Sequence, residues 1–285
     1  MASIAYHRPA SIDEALELGR WPGGARFLAG GTDLLVKLRQ GLERPRALVS
    51  LRNITELQGI EVSDAGADIG AAVTIAEILE HDELGRRYPL LQQAAGRLGS
   101  PQIRQTATLG GNLGNCSPCA DTAPALLVYG ARLQLQGPAG RREVDIAEFL
   151  RGPGQSCLAP GELLCRVRVA PAPAGARTVY FKKGRVRVDL ALASLAALLV
   201  LDDGKLAEVR LAAGSVAPTC LRLERAEALL RGQRPDREII DRAARAAAED
   251  ISPIDDVRAS AAYRRRLVEV FVRRAVEGLC REAGE

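Results

Sequence analysis

Aromatic residues are scarce in this chain. Phenylalanine, tryptophan and tyrosine together make up 4% of its 285 residues. Proteins that hold single-stranded nucleic acid stack bases on aromatic side chains and follow the backbone with a basic groove. Here 39 basic and 35 acidic residues are mixed along the sequence and leave a net charge of only +4. The composition therefore argues against nucleic acid as a partner.

Long apolar segments are also missing. The longest apolar run, Leu190 to Leu201, is shorter than the roughly 20 residues that span a bilayer. Residues 1–16 have no apolar core of the secretory type. We therefore expect no membrane span and a cytoplasmic location, where cysteines stay reduced.

Only two histidines are present, His7 and His81, and they lie far apart in the sequence. A Ser-His-Asp triad or a histidine-based metal site therefore has little support. Cys116 and Cys119 form a Cys-x-x-Cys pair, but it follows a glycine-rich stretch instead of a strand, and the other four cysteines lack ligand spacing. The pattern favours structural or incidental thiols, with a cluster or a disulfide as the alternative.

The order of the predicted strands and helices divides the chain into three units. Residues 1–57 read as α/β, residues 58–173 as α+β, and residues 174–285 as a hairpin-rich sheet backed by helices, with a Pro-rich linker at 170–176. Thr74 and Glu77 form a capping-box signature that predicts one helix over 75–84. The amphipathic segment 263–279 predicts a last helix that packs on its own unit, with partner docking as the alternative.

Two glycine-rich segments carry the strongest functional signal. "AGGTDL" (residues 29–34) joins a predicted strand to a predicted helix, and such a turn exposes backbone N–H groups that attract phosphate. "TLGGNLGN" (residues 108–115) is predicted to be a loop that offers N–H groups, a hydroxyl and an amide. Together they predict a ligand with two phosphates held from both sides. The G-x-G-x-x-G and P-loop fingerprints are absent.

The same segments resemble a known family. "FLAGGTDLL" and "TLGGNLGNCSPCADTAPALL" are similar to the two FAD-binding motifs of the medium subunits of molybdenum hydroxylases, the xanthine dehydrogenase and carbon monoxide dehydrogenase family. The segments "GRVRVDLALASLAALLVLDDGK" and "VRLAAGSVAPTCLRLERAEALLRG" are similar to their C-terminal domain. The resemblance implies an α+β fold: a two-part FAD-binding domain of the vanillyl-alcohol-oxidase/PCMH type, then an α+β C-terminal domain with a sheet backed by helices.

The resemblance also implies a set of FAD-binding residues. Those expected to wrap the pyrophosphate are Ala29, Gly30, Gly31, Thr32, Asp33 and Leu34. Those expected on its other side are Thr108, Gly110, Gly111 and Asn112. Those expected along the ribityl chain and the flavin are Asn115, Ser117 and Asp121, with Lys182 and the residues up to Arg185 near the isoalloxazine ring. Cys116 and Cys119 replace alanines that are frequent in the family. No long cysteine-rich insertion is present, so we expect no cluster and no metal ligand.

The function implied by the resemblance is electron transfer. A large subunit with molybdopterin oxidises the substrate, a small subunit with two [2Fe-2S] clusters delivers single electrons, and FAD in this chain passes them to an acceptor such as NAD or a quinone. Because the redox chemistry belongs to the cofactor, we predict no catalytic side chain. The alternatives are a stand-alone FAD-dependent oxidase of the same fold superfamily and a non-enzymatic nucleotide-binding protein.

Overall fold

A computed structural model describes residues 4–281. The chain begins with a three-stranded parallel sheet in the order β1-β3-β2. The strand β3 is central and all four of its residues are buried, as expected for a parallel strand that is covered on both faces. The elements of this part are β1 Ala5–His7, α1 Ile12–Leu18, β2 Ala25–Leu28, α2 Leu34–Arg39, β3 Ala47–Ser50 and a 3₁₀ turn Thr55–Leu57.

A five-stranded antiparallel sheet follows, in the order β4-β5-β10-β6-β7. Helices lie between its strands in the sequence. The elements are β4 Ile60–Ser63, β5 Gly66–Gly70, α3 Ile75–Glu80, α4 Asp82–Arg87, α5 Pro89–Gly96, α6 Pro101–Arg104, α7 Leu109–Gly114, α8 Thr122–Tyr129, β6 Arg132–Gly137, β7 Gly140–Asp145, α9 Ile146–Phe149, β8 Leu150–Gly152, β9 Gln155–Ser156 and β10 Leu163–Val169. The helix α8 is buried along its whole length, which makes it the centre of this part's core.

The prediction of a single helix over 75–84 is wrong. Its start is confirmed, because Thr74 and Glu77 form both hydrogen bonds of a capping box. The helix ends at Glu80, however, because His81 adopts an extended backbone conformation. The His81 Nδ1 atom accepts a hydrogen bond from the Leu84 N–H, so this residue terminates α3 and caps α4.

The last part is a four-stranded antiparallel sheet in the order β11-β12-β13-β14, covered by three helices. The predicted hairpin is confirmed, since β12 and β13 pair along their length and turn at Asp203 and Gly204, both with positive φ. The elements are β11 Arg177–Lys183, β12 Ala193–Asp202, β13 Lys205–Gly214, β14 Leu221–Arg222, α10 Glu224–Leu230, α11 Arg237–Asp250 and α12 Ala261–Arg281.

The long helix α12 packs on its own sheet, as predicted. Leu267, Val268, Phe271 and Val272 are buried in the same core cluster as the strands β12 and β13, and the Phe271 ring stacks on Phe181 with centroids 5.5 Å apart. The apolar face of this helix is therefore used within the chain. No helix among residues 4–281 is long and apolar enough to cross a membrane.

A buried carboxylate stabilises the junction of this last sheet with α10. Glu227 is 3% exposed; its oxygens accept two hydrogen bonds from the Arg222 guanidinium at 2.7 Å and one from the Leu211 N–H at 2.8 Å. Removing one member of a buried ion pair leaves the other charge buried without a partner, which lowers the free energy of unfolding by about 3–5 kcal/mol.

We predict that Glu227→Ala lowers the free energy of unfolding by about 3–5 kcal/mol, because Arg222 and the Leu211 N–H lose their acceptor. Urea denaturation of the purified chain measures this loss. Glu224→Ala is the matched control on the same helix, where the side chain is exposed, and we expect a change within about 0.5 kcal/mol. Equal losses in the two variants would contradict the stabilising role of Glu227 at this junction.

Candidate functional site

A cavity of about 900 Å³ lies where the three parts of the chain meet. Its walls come from residues 26–57, 71–164 and 182–190. Fourteen of the residues predicted to belong to the site line this one cavity: Ala29, Gly30, Gly31, Thr32, Asp33, Leu34, Thr108, Gly110, Gly111, Asn112, Asn115, Ser117, Asp121 and Lys182. Lys183, Gly184 and Arg185, which were predicted near the isoalloxazine ring, are not part of its lining. The volume is in the range of cavities that enclose small molecules and cofactors, about 300–1,000 Å³.

The first glycine segment forms a turn with free backbone donors. The strand β2 ends at Leu28 and α2 begins at Leu34, and Gly31 between them has a φ of 76°, a conformation that glycine adopts without strain. Within residues 4–281, the backbone N–H groups from residue 30 to residue 34 have no hydrogen-bond partner. Consecutive free N–H groups in a turn form a concave site for anions.

The second glycine segment differs from the prediction of a loop with free donors. Residues 109–114 form the helix α7, capped by Thr108, whose Oγ1 accepts a hydrogen bond from the Gly111 N–H at 3.0 Å. The Leu109 and Gly110 N–H groups donate to the Val73 and Ala71 carbonyls. The local capping signal outweighed the low helix propensity of glycine. The donors of this helix are therefore already used, and α7 forms a wall of the cavity instead of a second set of N–H donors.

Each segment touches the backbone of another part of the chain: the first meets the residues that lead into the second, and the second meets the residue that follows β5. A Cβ atom placed on Gly30 would lie 1.8 Å from the Thr106 carbonyl oxygen, and one placed on Gly110 would lie 2.7 Å from the Ala71 carbonyl oxygen. A Cβ on Gly111 would lie 3.9 Å from the Ala29 Cβ. Glycine is thus required because the chain approaches itself too closely for any side chain, in addition to any role toward a ligand.

The polar side chains of α7 and its C-cap connect the walls of the cavity. The Asn112 Oδ1 atom accepts hydrogen bonds from the Thr122 hydroxyl at 2.6 Å and from the Thr122 N–H at 3.3 Å. The Asn115 Oδ1 atom accepts a hydrogen bond from the Lys37 ammonium at 2.7 Å. The first interaction fixes α8 to α7, and the second joins α2 to α7 within the lining of the cavity.

A buried ion pair joins the last sheet to the cavity. The Lys182 Nζ atom lies 2.8 Å from the Asp121 Oδ2 atom, and their side chains are 5% and 6% exposed. The Tyr180 hydroxyl donates to the Asp121 Oδ1 atom at 3.3 Å, and Lys182 also donates to the Arg97 carbonyl at 2.8 Å. Burial raises the pKa of the Asp121 carboxyl, and the Lys182 ammonium opposes this rise. Asp121 is predicted to lie along the ribityl chain and the flavin, and each of its oxygens accepts a hydrogen bond from the chain.

The Cys-x-x-Cys pair lies beside this ion pair. Cys116 is buried, and burial raises the pKa of its thiol to about 11, which disfavours the thiolate that metals and disulfide exchange require. The Cys119 thiol lines the cavity and donates to the Ala191 carbonyl at 3.7 Å. Among residues 4–281, no group of three or more His, Cys, Asp or Glu side chains is placed to hold a metal ion.

Comparison with known families identifies the family of the chain. Residues 2–173 match the model of the FAD-binding domain in molybdopterin dehydrogenase, and residues 179–279 match that of the CO dehydrogenase flavoprotein C-terminal domain. The chain belongs to the FAD-binding medium subunits of the molybdenum hydroxylase family. It is therefore a subunit of an FAD-dependent oxidoreductase.

Similar proteins cover almost the whole length of this FAD-binding subunit. The carbon monoxide dehydrogenase medium chain of Afipia carboxidovorans is 35% identical over 276 residues, 96% of each chain. The xanthine dehydrogenase FAD-binding subunit of Escherichia coli O157:H7 is 33% identical over 283 residues, 98% of this chain and 97% of the relative. The solved structure of reconstituted CO dehydrogenase from Oligotropha carboxidovorans superposes with a TM-score of 0.94 at 34% identity, over 98% of each chain.

The cavity fits FAD on three observations. Its volume is sufficient, its free N–H groups at residues 30–34 suit a diphosphate, and its glycines keep side chains out of the space between the two segments.

The fourteen predicted residues omit a large part of the lining. The side chains missed include Phe27, Lys37, Leu57, Ile103, Leu158, Glu162, Val188 and Leu190. Most are apolar residues of ordinary strands, helices and loops, and no local motif marks them.

We predict that Gly30→Ala lowers the affinity for FAD by about tenfold or more, which corresponds to about 1.4 kcal/mol. The added Cβ would meet the Thr106 carbonyl oxygen at 1.8 Å and would push the two glycine segments apart. The FAD released by heating and measured per chain by HPLC, with a fluorescence titration of the apoprotein, provides the measurement.

Gly278→Ala is the control, because nothing lies within 4 Å of a Cβ at this position of α12. We expect this variant to retain FAD fully. A Gly30→Ala protein that binds FAD as tightly as the parent would show that the close approach of the two segments does not shape the site.

Proposed function

We propose that the chain is the electron-transferring FAD subunit of a three-part molybdenum hydroxylase. In this proposal a small subunit delivers electrons from [2Fe-2S] clusters, a large molybdopterin subunit oxidises the substrate, and an external acceptor such as NAD or a quinone takes the electrons. The observation that carries the proposal is the single cavity in which both glycine segments and Lys182 meet. The family membership supports it, as does the chain's similarity to a carbon monoxide dehydrogenase medium chain and a xanthine dehydrogenase FAD-binding subunit.

The residues of the chain have binding and positioning roles in this proposal. The N–H groups of residues 30–34 hold the diphosphate, and the α7 wall and the Asp121–Lys182 pair fix the side of the cavity that faces the last sheet. FAD, when bound, supplies the conversion between one-electron and two-electron transfer. We propose further that residues 1–57, 58–173 and 174–285 fold as the three domains that enclose it, and that the complex is cytoplasmic.

The proposal predicts a defined composition. The tagged full-length chain, isolated from its native cells, should copurify with two further polypeptides and contain molybdenum, iron and FAD. Metal analysis and HPLC of the released flavin measure this. A chain that carries FAD but copurifies with neither metal would support the stand-alone oxidase, and a folded parent chain without flavin would support the non-enzymatic alternative.

Electron transfer through the chain has its own test. The isolated complex is reduced anaerobically with a limiting amount of dithionite, and its reoxidation by NAD⁺ or a water-soluble quinone is followed by flavin and cluster absorbance. We expect the Gly278→Ala complex to reduce the acceptor at the parent rate and the FAD-depleted Gly30→Ala complex to keep its clusters reduced. Equal acceptor reduction by both complexes would show that the electrons leave by another route.

A further inference from the structure

The charged side chains that line the cavity are almost all neutralised within the chain. Arg26 pairs with Glu43 at 3.0 Å and Lys182 with Asp121 at 2.8 Å. The remaining carboxylates with ion pairs are Glu162, held by Arg142 at 2.7 Å, and Asp189, held by Arg185 at 2.7 Å. These pairs leave no net charge to face a ligand.

Lys37 is the exception among the cations of the described lining. It makes no ion pair there, and the hydrogen bond of its ammonium at 2.7 Å goes to the neutral Asn115 amide oxygen. The other charged residue of the described lining without an ion pair is Asp33, one turn earlier, and it forms no ion pair with Lys37, whose ammonium bonds to Asn115. Asp33 is exposed, whereas Lys37 is half-buried, so solvent and salt screen the carboxylate more than the ammonium.

The position of Lys37 relates this charge to the backbone donors. Lys37 follows the free N–H groups of residues 30–34 by three residues, and its own N–H donates to the Asp33 carbonyl. The bond to Asn115 holds the ammonium against α7, whose N–H groups are already used by the chain. One segment of the lining thus has backbone donors, and the α7 wall receives its positive charge from Lys37.

We propose that Lys37 is a binding residue for the diphosphate of FAD and supplies the positive charge that the α7 wall lacks. A diphosphate carries negative charge that backbone N–H groups solvate but do not neutralise. An ammonium held by a neutral amide keeps its full charge and two further N–H donors for an anionic ligand. Asn115 then has the role of a positioning residue that directs Lys37 into the cavity. The inference rests on FAD as the occupant of the cavity.

The test is the affinity of the full-length apoprotein for FAD, measured by flavin fluorescence at several salt concentrations. Lys37→Met removes a charged hydrogen-bond donor. We therefore expect this variant to weaken FAD binding by about 10- to 100-fold at low salt. Its affinity for FAD should also depend less on salt concentration than that of the parent. Lys37→Arg should retain most of the affinity. The matched control is Lys205→Met, the same change at an exposed position outside the cavity lining, which should stay within about twofold of the parent.

Two further measurements separate a charge effect from a structural one. Riboflavin lacks the phosphates, so its affinity should be equal in the parent and in Lys37→Met. Asn115→Ala keeps the ammonium but removes the link between α2 and α7, and we expect it to bind FAD more tightly than Lys37→Met. Thermal unfolding of each apoprotein checks that the variants are folded.

The proposal is overturned if Lys37→Met binds FAD like the parent, or if it loses riboflavin and FAD equally. A parent protein that fails to bind FAD at all is a different result, since it would contradict the occupant of the cavity and not the role of Lys37.

Discussion

The cavity depends on one close approach of the backbone to itself. Gly30 lies so near the Thr106 carbonyl that a methyl group would come within 1.8 Å of the oxygen. This contact brings the turn after β2 against the segment that leads into α7, and it leaves room for a ligand beside them. The glycines allow the approach, the Thr108 cap makes the neighbouring helix self-sufficient, and the free donors of residues 30–34 remain for the ligand.

A second constraint fixes the last sheet to this arrangement. Asp121 belongs to the segment after α7 and Lys182 to the strand β11, so their buried pair crosses between two parts of the chain. Removing two charges from water is costly, and such a pair rarely stabilises a fold more than apolar side chains would. The pair does specify one orientation of β11 relative to the segment after α7. The Asp121 carboxylate needs Lys182 and the Tyr180 hydroxyl as donors, and the Lys182 ammonium needs Asp121 and the Arg97 carbonyl as acceptors. The pair therefore fixes the shape of the cavity, although apolar side chains at these positions could give the fold equal or greater stability.

The sequence predicted which residues meet at the site better than it predicted which of their hydrogen-bonding groups are free. The glycine pairs and Asp121 are marked by local patterns, and the structure brings all of them to one cavity. The N–H groups of α7 were predicted to be free, because the sequence does not show that the Ala71 and Val73 carbonyls accept from them. The pairing of Asp121 with Lys182 joins positions 61 residues apart, and the break at His81 depends on a side-chain cap. Local sequence patterns do not show contacts between residues that are distant in the sequence. They also do not show where a side-chain cap ends one helix and begins another.

The cavity is lined by three parts of the chain whose sheets share no strand within residues 4–281, and this has a consequence for the protein in the cell. A ligand that contacts all three parts binds only when they are assembled, so its binding free energy adds to that of folding. At a free ligand concentration of a hundred times Kd, the gain is about 2.7 kcal/mol. A difference of that size changes the fraction of unfolded chain that proteases can degrade. With FAD as that ligand, the supply of flavin would set the fraction of the chain that stays folded.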